Sequence, residues 1–260
     1  MVQRSLTAII ALLFFVPIIW IGSWVLELFI ILLAITALIE IHQMKGIQPI
    51  SIPTLVASIA LVYIILYNRI HELLPNLAQN GSVFAFFVIL ILCLTIVLKD
   101  YTIEDVGVSF MGIMYTGIGF HSFILTRETN LHLLILSLII IWSTDTGAYL
   151  VGRKMGKHKL APSISPNKTV EGSIGGIVIA LLVSIIYLLF FPSVYPLIMV
   201  IPLIILLSIS GQIGDLIESA IKRHFGTKDS GNILPGHGGI FDRFDSLLFV
   251  LSVIFIIGLV

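Results

Sequence analysis

Runs of about 17 to 25 apolar residues recur along the chain, separated by short polar connections, and each is long enough to cross the hydrocarbon core of a bilayer as a helix. A backbone surrounded by lipid must satisfy its own hydrogen bonds, so runs of this length fold as helices. Hydropathy places candidate spans at about 5–22, 24–41, 52–68, 82–98, 106–125, 131–150, 173–192, 195–218 and 241–260. Nine spans of about 20 residues use roughly 180 residues. In a chain of 260 residues that leaves little for a soluble domain. The expected architecture is therefore all-α: a polytopic transmembrane helical protein of about nine spans, one integral-membrane domain over residues 1–260. Within it, residues 1–130 are mainly structural spans and 131–260 form the half that carries chemistry. Only 11% of residues are charged and the net charge is zero, which points to no nucleic-acid partner. The single cysteine, Cys93, falls inside the fourth span, so neither a disulfide framework nor a thiolate zinc site is available. Arg4 followed by an apolar run resembles a signal peptide. No small-residue cleavage site follows, and a retained first helix is expected.

Basic residues set the expected orientation. With the N-terminus in the cytoplasm, nine spans place Arg4, Lys45, Lys99, Arg153, Lys154, Lys157, Lys159, Lys168, Lys222, Arg223, Lys228 and Arg243 on the cytoplasmic side. Only Arg69 and Arg127 fall on the other. An even number of spans needs one boundary redrawn, and the weakest lies at Asn68–Asn80, where Arg69, His71, Glu72 and Pro75 interrupt the apolar pattern. Two cytoplasmic loops, Val151–Gly172 and Arg223–Ile240, are far more polar than the rest. Together they are expected to form the functional site. Elsewhere the residues read as structure. Gly107, Gly112, Gly117 and Gly119 permit close helix packing, and Trp20, Trp24 and Tyr195 mark interfaces. Glu27 and His121 lie towards the outer ends of spans, where snorkelling or interhelical hydrogen bonds accommodate them.

The second loop is flanked by acids. Asp215 and Glu218 close span eight, and Asp242 and Asp245 open span nine. A step of three residues puts each pair on one helical face. An isolated acid at a helix end simply meets water. Four acids around one Gly/Lys loop favour a cation instead, and magnesium takes one or two carboxylates together with phosphate oxygens. Asp215 and Asp242 are the first choices as ligands, with Glu218 and Asp245 assisting. Gly236, His237, Gly238 and Gly239 precede span nine, where backbone amides and the helix dipole attract an anion; a plain turn and helix cap is the structural alternative. In the first loop, Asp145 ends a span, and Ser165, Lys168, Thr169 and Glu171 bring hydroxyl, cation and carboxylate into one short segment suited to triphosphate oxygens. Lys154, Lys157 and Lys159 read as anchors attracting anionic lipid.

The stretch from Ser219 to Asp245 resembles the signature of phosphatidate cytidylyltransferase, the CDP-diacylglycerol synthase family. The matching positions are Ser219, Ile221, Lys222, Arg223, Lys228, Asp229, His237, Gly238, Gly239, Asp242, Arg243, Phe244 and Asp245. Asp145 to Gly172, including Ser165 to Glu171, is also similar, so the resemblance covers roughly the last 120 residues. It implies transfer of a cytidylyl group from CTP to phosphatidate, giving CDP-diacylglycerol and pyrophosphate in phospholipid biosynthesis. It also implies a divalent metal, Mg2+, with a monovalent cation such as K+ beside it, and a homodimer. Under that reading Lys222, Arg223, Lys228, Asp229, His237 and Asp245 are catalytic. Asp145, Ser165, Lys168, Glu171, Ser219, Gly238, Gly239 and Arg243 bind substrate; Asp215, Asp242 and Glu218 hold metal. The compact chain without a long extra tail points to a bacterial plasma (inner) membrane, with the site on the cytoplasmic side. Three rivals remain. A transporter would carry ionisable groups near the bilayer midplane of several spans. A CDP-alcohol phosphotransferase would need an Asp-Gly start to its motif, which this chain lacks. A cytidylyltransferase for another lipid phosphate is the third.

Overall fold

Helices dominate the structure, a computed structural model that describes residues 13–75, 81–193, 196–233 and 238–260. The chain forms two compact units. One comprises Met1–Ile124 with Asp229–Arg243, the other Leu125–Lys228 with Phe244–Val260.

In the first unit, residues 13–21 are helical and are followed by α1 (Ser23–Lys45), α2 (Ile52–Ile65), α3 (Tyr67–Leu73), α4 (Ser82–Val97) and most of α5 (Ile103–Thr129). Local sequence sets these boundaries. Gly46 ends α1 in the left-handed conformation, φ 93°, with its amide and that of Ile47 closing the last turn onto Gln43 and His42. Ser51 caps α2 through the Thr54 amide, with proline in the first turn. Asp105 accepts from the Thr102 amide at 2.8 Å and so caps the start of α5. The run expected as one span at 52–68 is broken: α2 and α3 meet at 73° across Leu66. The bend frees the Ile65 carbonyl from the ladder, and His121 Nδ1 donates to it at 3.0 Å, as a buried polar backbone group requires. Arg69 on α3 pairs with Glu27 on α1 at 2.7 Å. Both Glu27 and His121 thus meet partners on other helices. Of the glycines expected to pack α5, Gly112 faces Leu38 and Gly117 faces Leu61 and Ile64, whereas Gly107 faces open space.

The second unit contains α6 (Leu131–Met155), a short antiparallel hairpin of β1 (Lys159–Ala161) and β2 (Ser165–Thr169), then α7 (Val170–Phe190), α8 (Leu197–His224) and most of α9 (Phe241–Ile256). Asn130 and Thr169 cap α6 and α7 with their side chains. Small residues let the helices touch by backbone. A Cβ on Gly176 would lie 2.7 Å from the Thr144 carbonyl oxygen, and one on Gly214 would lie 2.8 Å from that of Asp245. Thr144 and Ser208 join α6 to α8 through a hydroxyl pair at 2.7 Å. At the end of this unit where α6 begins, His132, Tyr187, Phe191 and Val200 line a cavity of about 620 Å³. The polar residues gather at the other end, where α6 and α8 finish and α9 starts.

Among the described residues, five helices are long and apolar enough to cross a membrane (α1, α5, α6, α7 and α8), and six if α2 and α3 count as one span. The 16-residue helices α4 and α9 rise only about 24 Å, less than the hydrocarbon thickness of about 30 Å. Among the described residues the fold is helical apart from the hairpin, which lies in a segment expected as a polar loop. Gly176→Ala is expected to destabilise by about 1–3 kcal/mol, because the Thr144 backbone cannot yield to the new methyl. Gly107→Ala, with nothing within 4 Å, is expected to leave stability unchanged or slightly raised. Denaturation of both variants in detergent micelles checks the contrast.

Candidate active site

Helix α8 ends with Asp215, Glu218, Ser219 and Lys222 spaced three and four residues apart, which lines them along one face. The close approach at Gly214 brings Asp245 on α9 alongside. Asp215, Glu218 and Asp245 each present a carboxylate oxygen, all within 4.8 Å of one another. Three like charges at that spacing repel strongly, and removal from water raises the cost. Cations answer them. Lys168 from β2 reaches Asp215 at 2.5 Å, and Lys222 reaches the buried Glu218 at 2.6 Å. Ser219 donates its hydroxyl to the second Asp215 oxygen at 3.3 Å. Asp145, near the end of α6, stands close enough to Asp215, Asp245 and Lys168 to feel their charge. Counted as ionised, the four carboxylates against two ammonium groups leave two net negative charges. Hard oxygen donors with that residual charge suit a divalent ion such as Mg2+, so the donor set fits the expected metal.

The hairpin supplies more than Lys168. The Ser165 position pairs with Ala161 across the two strands. Arg223 at the end of α8 donates through Nε to the Ile164 carbonyl at 3.4 Å and through its guanidinium to the Thr227 carbonyl at 3.0 Å. The first polar loop is thus tied to α8 from two sides. Glu171 lies in the first turn of α7 and accepts from the amides of Lys157 (3.0 Å) and His158, with His158 Nδ1 at 2.6 Å. In this structure its carboxylate fastens the approach to the hairpin.

The residues of the second loop that belong to the first unit form their own arrangement. Asp242 Oδ2 accepts from the amides of Ser230 (2.9 Å) and Gly239 (2.8 Å) and lies 3.0 Å from the Ser230 hydroxyl. Gly238 has φ 83°, where a side chain would be strained. Asp229 and Arg243 are exposed, as is Lys228 in the second unit. His237 lies outside the described residues. Sequence reading passed over Glu40, which is fully buried and accepts from the amides of Ile240 and Phe241, each at 2.8 Å, and from the Ser230 hydroxyl at 2.9 Å. Its signal was present: an acid within an apolar run is a functional candidate by default. A span drawn at 24–41 put it at the end, where a charge attracts no notice.

An all-helical membrane protein whose acids and lysines converge at helix ends, with hard oxygen donors for a divalent cation, has the outline of a membrane enzyme acting on phosphate groups. The Cytidylyltransferase family model matches residues 2–260, and the chain belongs to that family. The match extends over the first half, beyond the segments that carried the resemblance. The chain is 46% identical over 252 residues to the phosphatidate cytidylyltransferase of Staphylococcus haemolyticus (strain JCSC1435), which covers 96% of each chain. It is 43% identical, with the same coverage, to the phosphatidate cytidylyltransferase of Staphylococcus aureus (strain COL).

Replacing Glu171 with Gln should loosen the approach to the hairpin, because a neutral amide cannot hold the Lys157 and His158 amides equally well. Trypsin should then cut after Lys157 or Lys159 markedly faster than in the parent protein. Unchanged cleavage would remove this role from Glu171.

Proposed function

We propose that this protein transfers a cytidylyl group from CTP to phosphatidate, giving CDP-diacylglycerol and pyrophosphate for phospholipid synthesis. The observation that carries the reading is the gathering of Asp145, Asp215, Glu218 and Asp245 with Lys168 and Lys222 at helix ends, in a member of the cytidylyltransferase family. The curated relatives bear the name of that activity.

The chemistry explains why such residues suffice. A phosphate monoester has its second pKa at about 6, so phosphatidate arrives as a nucleophile near neutral pH without a general base. One of its oxygens bonds to the α-phosphorus of CTP; the bond from that phosphorus to the bridging oxygen breaks, and its electron pair leaves with pyrophosphate. The obstacle is repulsion between two anions. Lys168 and Lys222, held by Asp215 and Glu218, lower it by placing fixed positive charge where phosphate oxygens must sit. Asp215, Glu218 and Asp245 would hold Mg2+, with Asp242 one turn earlier on the same helix belonging to the same reading. When bound, the ion would polarise the α-phosphoryl group and neutralise the departing pyrophosphate. A monovalent cation beside it and a homodimer complete the proposal. Arg223, Lys228, Asp229, His237 and Arg243 meet the substrates from the second loop, while Ser165, Ser219, Gly238 and Gly239 shape their seat.

The membrane arrangement follows from the same reading. Nine spans, with α4 and α9 crossing as short helices, put the N-terminus and the site in the cytoplasm of a bacterial cell. Twelve of the fourteen basic residues then face inward. The lipid tails stay in the bilayer while the phosphate reaches the helix ends.

Purified protein in nanodiscs, given α-labelled CTP and phosphatidate, should release pyrophosphate and label the lipid, with a clear preference over other lipid phosphates. Chelation should abolish turnover and Mg2+ should restore it. Asp215→Asn and Asp242→Asn should each lower kcat by about 10²-fold or more while membrane insertion persists. Near-normal rates in well-folded variants would remove these carboxylates from the reaction. Substrate flux in proteoliposomes without labelled lipid would instead indicate transport.

A further inference from the structure

Helix α9 begins at Phe241. The first amides of any helix have no partner within it, and an anion or a capping side chain usually takes them. Here the anion comes from another helix. Glu40 on α1, about two hundred residues earlier in the chain, accepts from Ile240 N on one carboxylate oxygen and from Phe241 N on the other, each at 2.8 Å. The second oxygen also accepts from the Ser230 hydroxyl at 2.9 Å. That same hydroxyl lies 3.0 Å from Asp242 Oδ2, so a single proton serves two carboxylates. The Ser230 amide donates to the same Asp242 oxygen at 2.9 Å. The Ser230 hydroxyl thus links Glu40 to Asp242.

The glycines of this loop fit the same purpose. A Cβ on Gly231 would lie 2.7 Å from Glu40 Oε1, and one on Gly239 would run into Glu40 Oε2 and the Ser230 hydroxyl. Both positions must be bare for the backbone to wrap the buried carboxylate. The amides that sequence reading offered to a substrate phosphate are thus partly taken by internal carboxylates: Gly239 by Asp242, Ile240 and Phe241 by Glu40.

We propose that Glu40 is a positioning residue for cytidylyl transfer: it fixes the start of α9 and, through Ser230, the carboxylate of Asp242. The inference rests on the function proposed above. Glu40 touches no reacting atom; it acts by holding the Ser230 segment, whose amide and hydroxyl meet the Asp242 carboxylate.

The test uses the full chain in nanodiscs with two variants, Glu40→Gln and Ser230→Ala. Glutamine keeps the shape but offers one acceptor oxygen where the loop needs two. Three readouts are taken: kcat and KM for CTP, the Mg2+ concentration for half-maximal rate, and amide exchange across 238–241 in metal-free protein. Glu40→Gln should lower kcat about 10- to 100-fold, raise the Mg2+ requirement by a similar factor and leave KM for CTP near its original value. Exchange at 240 and 241 should rise while protection along α1 is kept. Ser230→Ala should shift the Mg2+ requirement in the same direction by a smaller factor, and it decides the matter if the glutamine variant does not fold. Unchanged exchange and Mg2+ dependence in a folded Glu40→Gln protein would overturn the proposal. A general loss of protection throughout the first unit, with activity falling only as folded protein is lost, would overturn it too, by reducing Glu40 to a structural residue. If the parent protein fails to label phosphatidate, the functional reading falls, and the exchange measurement still decides whether Glu40 holds the loop.

Discussion

Three carboxylates held within 4.8 Å of one another at the ends of two helices carry a high electrostatic cost, and the packing of the second unit permits it. Asp215, Glu218 and Asp245 meet because Gly214 lets the α9 backbone press against α8. Lys168 and Lys222 then offset part of the repulsion. The lysines come from different places, one from the same helix four residues on and one from the hairpin. Small residues at 147, 172, 175 and 176 pack α6 closely against α7, the helix that follows the hairpin, and so place its strands beside α8. A chain of contacts between small residues thus ends in a charge cluster. The residual negative charge makes a divalent cation the natural complement.

The two polar loops solve different problems. In the second unit, Val151–Gly172 becomes a hairpin fastened by Glu171 at its approach and by Arg223 near its turn. Its ordered strands hold Lys168 on a firm backbone, and a cation on a defined path stabilises developing charge better than one on a loose tether. In the first unit, Ser230, Ile240 and Phe241 gather around Glu40, a buried acid that accepts from the amides at the start of a helix. Both arrangements use a carboxylate to organise backbone amides.

The helices were readily legible, because long apolar runs admit only one backbone solution in lipid. Among the described residues five helices are long and apolar enough to cross a membrane, six if α2 and α3 form one span, and the run expected at 52–68 breaks at Leu66, just ahead of the weak stretch at 68–80. What the sequence hid depends on chain path. The spacing of Asp242 and Asp245 put both on one face without saying which carboxylate stands beside Asp215, since that depends on how α9 meets α8. Glu171 looked like one more polar group near phosphate-binding residues, yet its partners lie thirteen and fourteen residues back, across a hairpin with little β-character in Lys159 or Asn167. Glu40 read as a charge at a span end, and its role stayed hidden because its partners are about two hundred residues away. No local pattern announces a contact of that separation.

The central claim is that the acids at the end of α8 and the start of α9 hold a divalent ion beside the phosphates. Crystals of the protein grown with Mn2+ and a non-hydrolysable CTP analogue test it most directly, through the anomalous signal of the metal. The account predicts a peak at coordination distance from Asp215, Glu218 and Asp245, next to the nucleotide phosphates. A nucleotide bound elsewhere, or a well-ordered cluster at these carboxylates with Lys168 and Lys222 still paired and no metal peak, would contradict it.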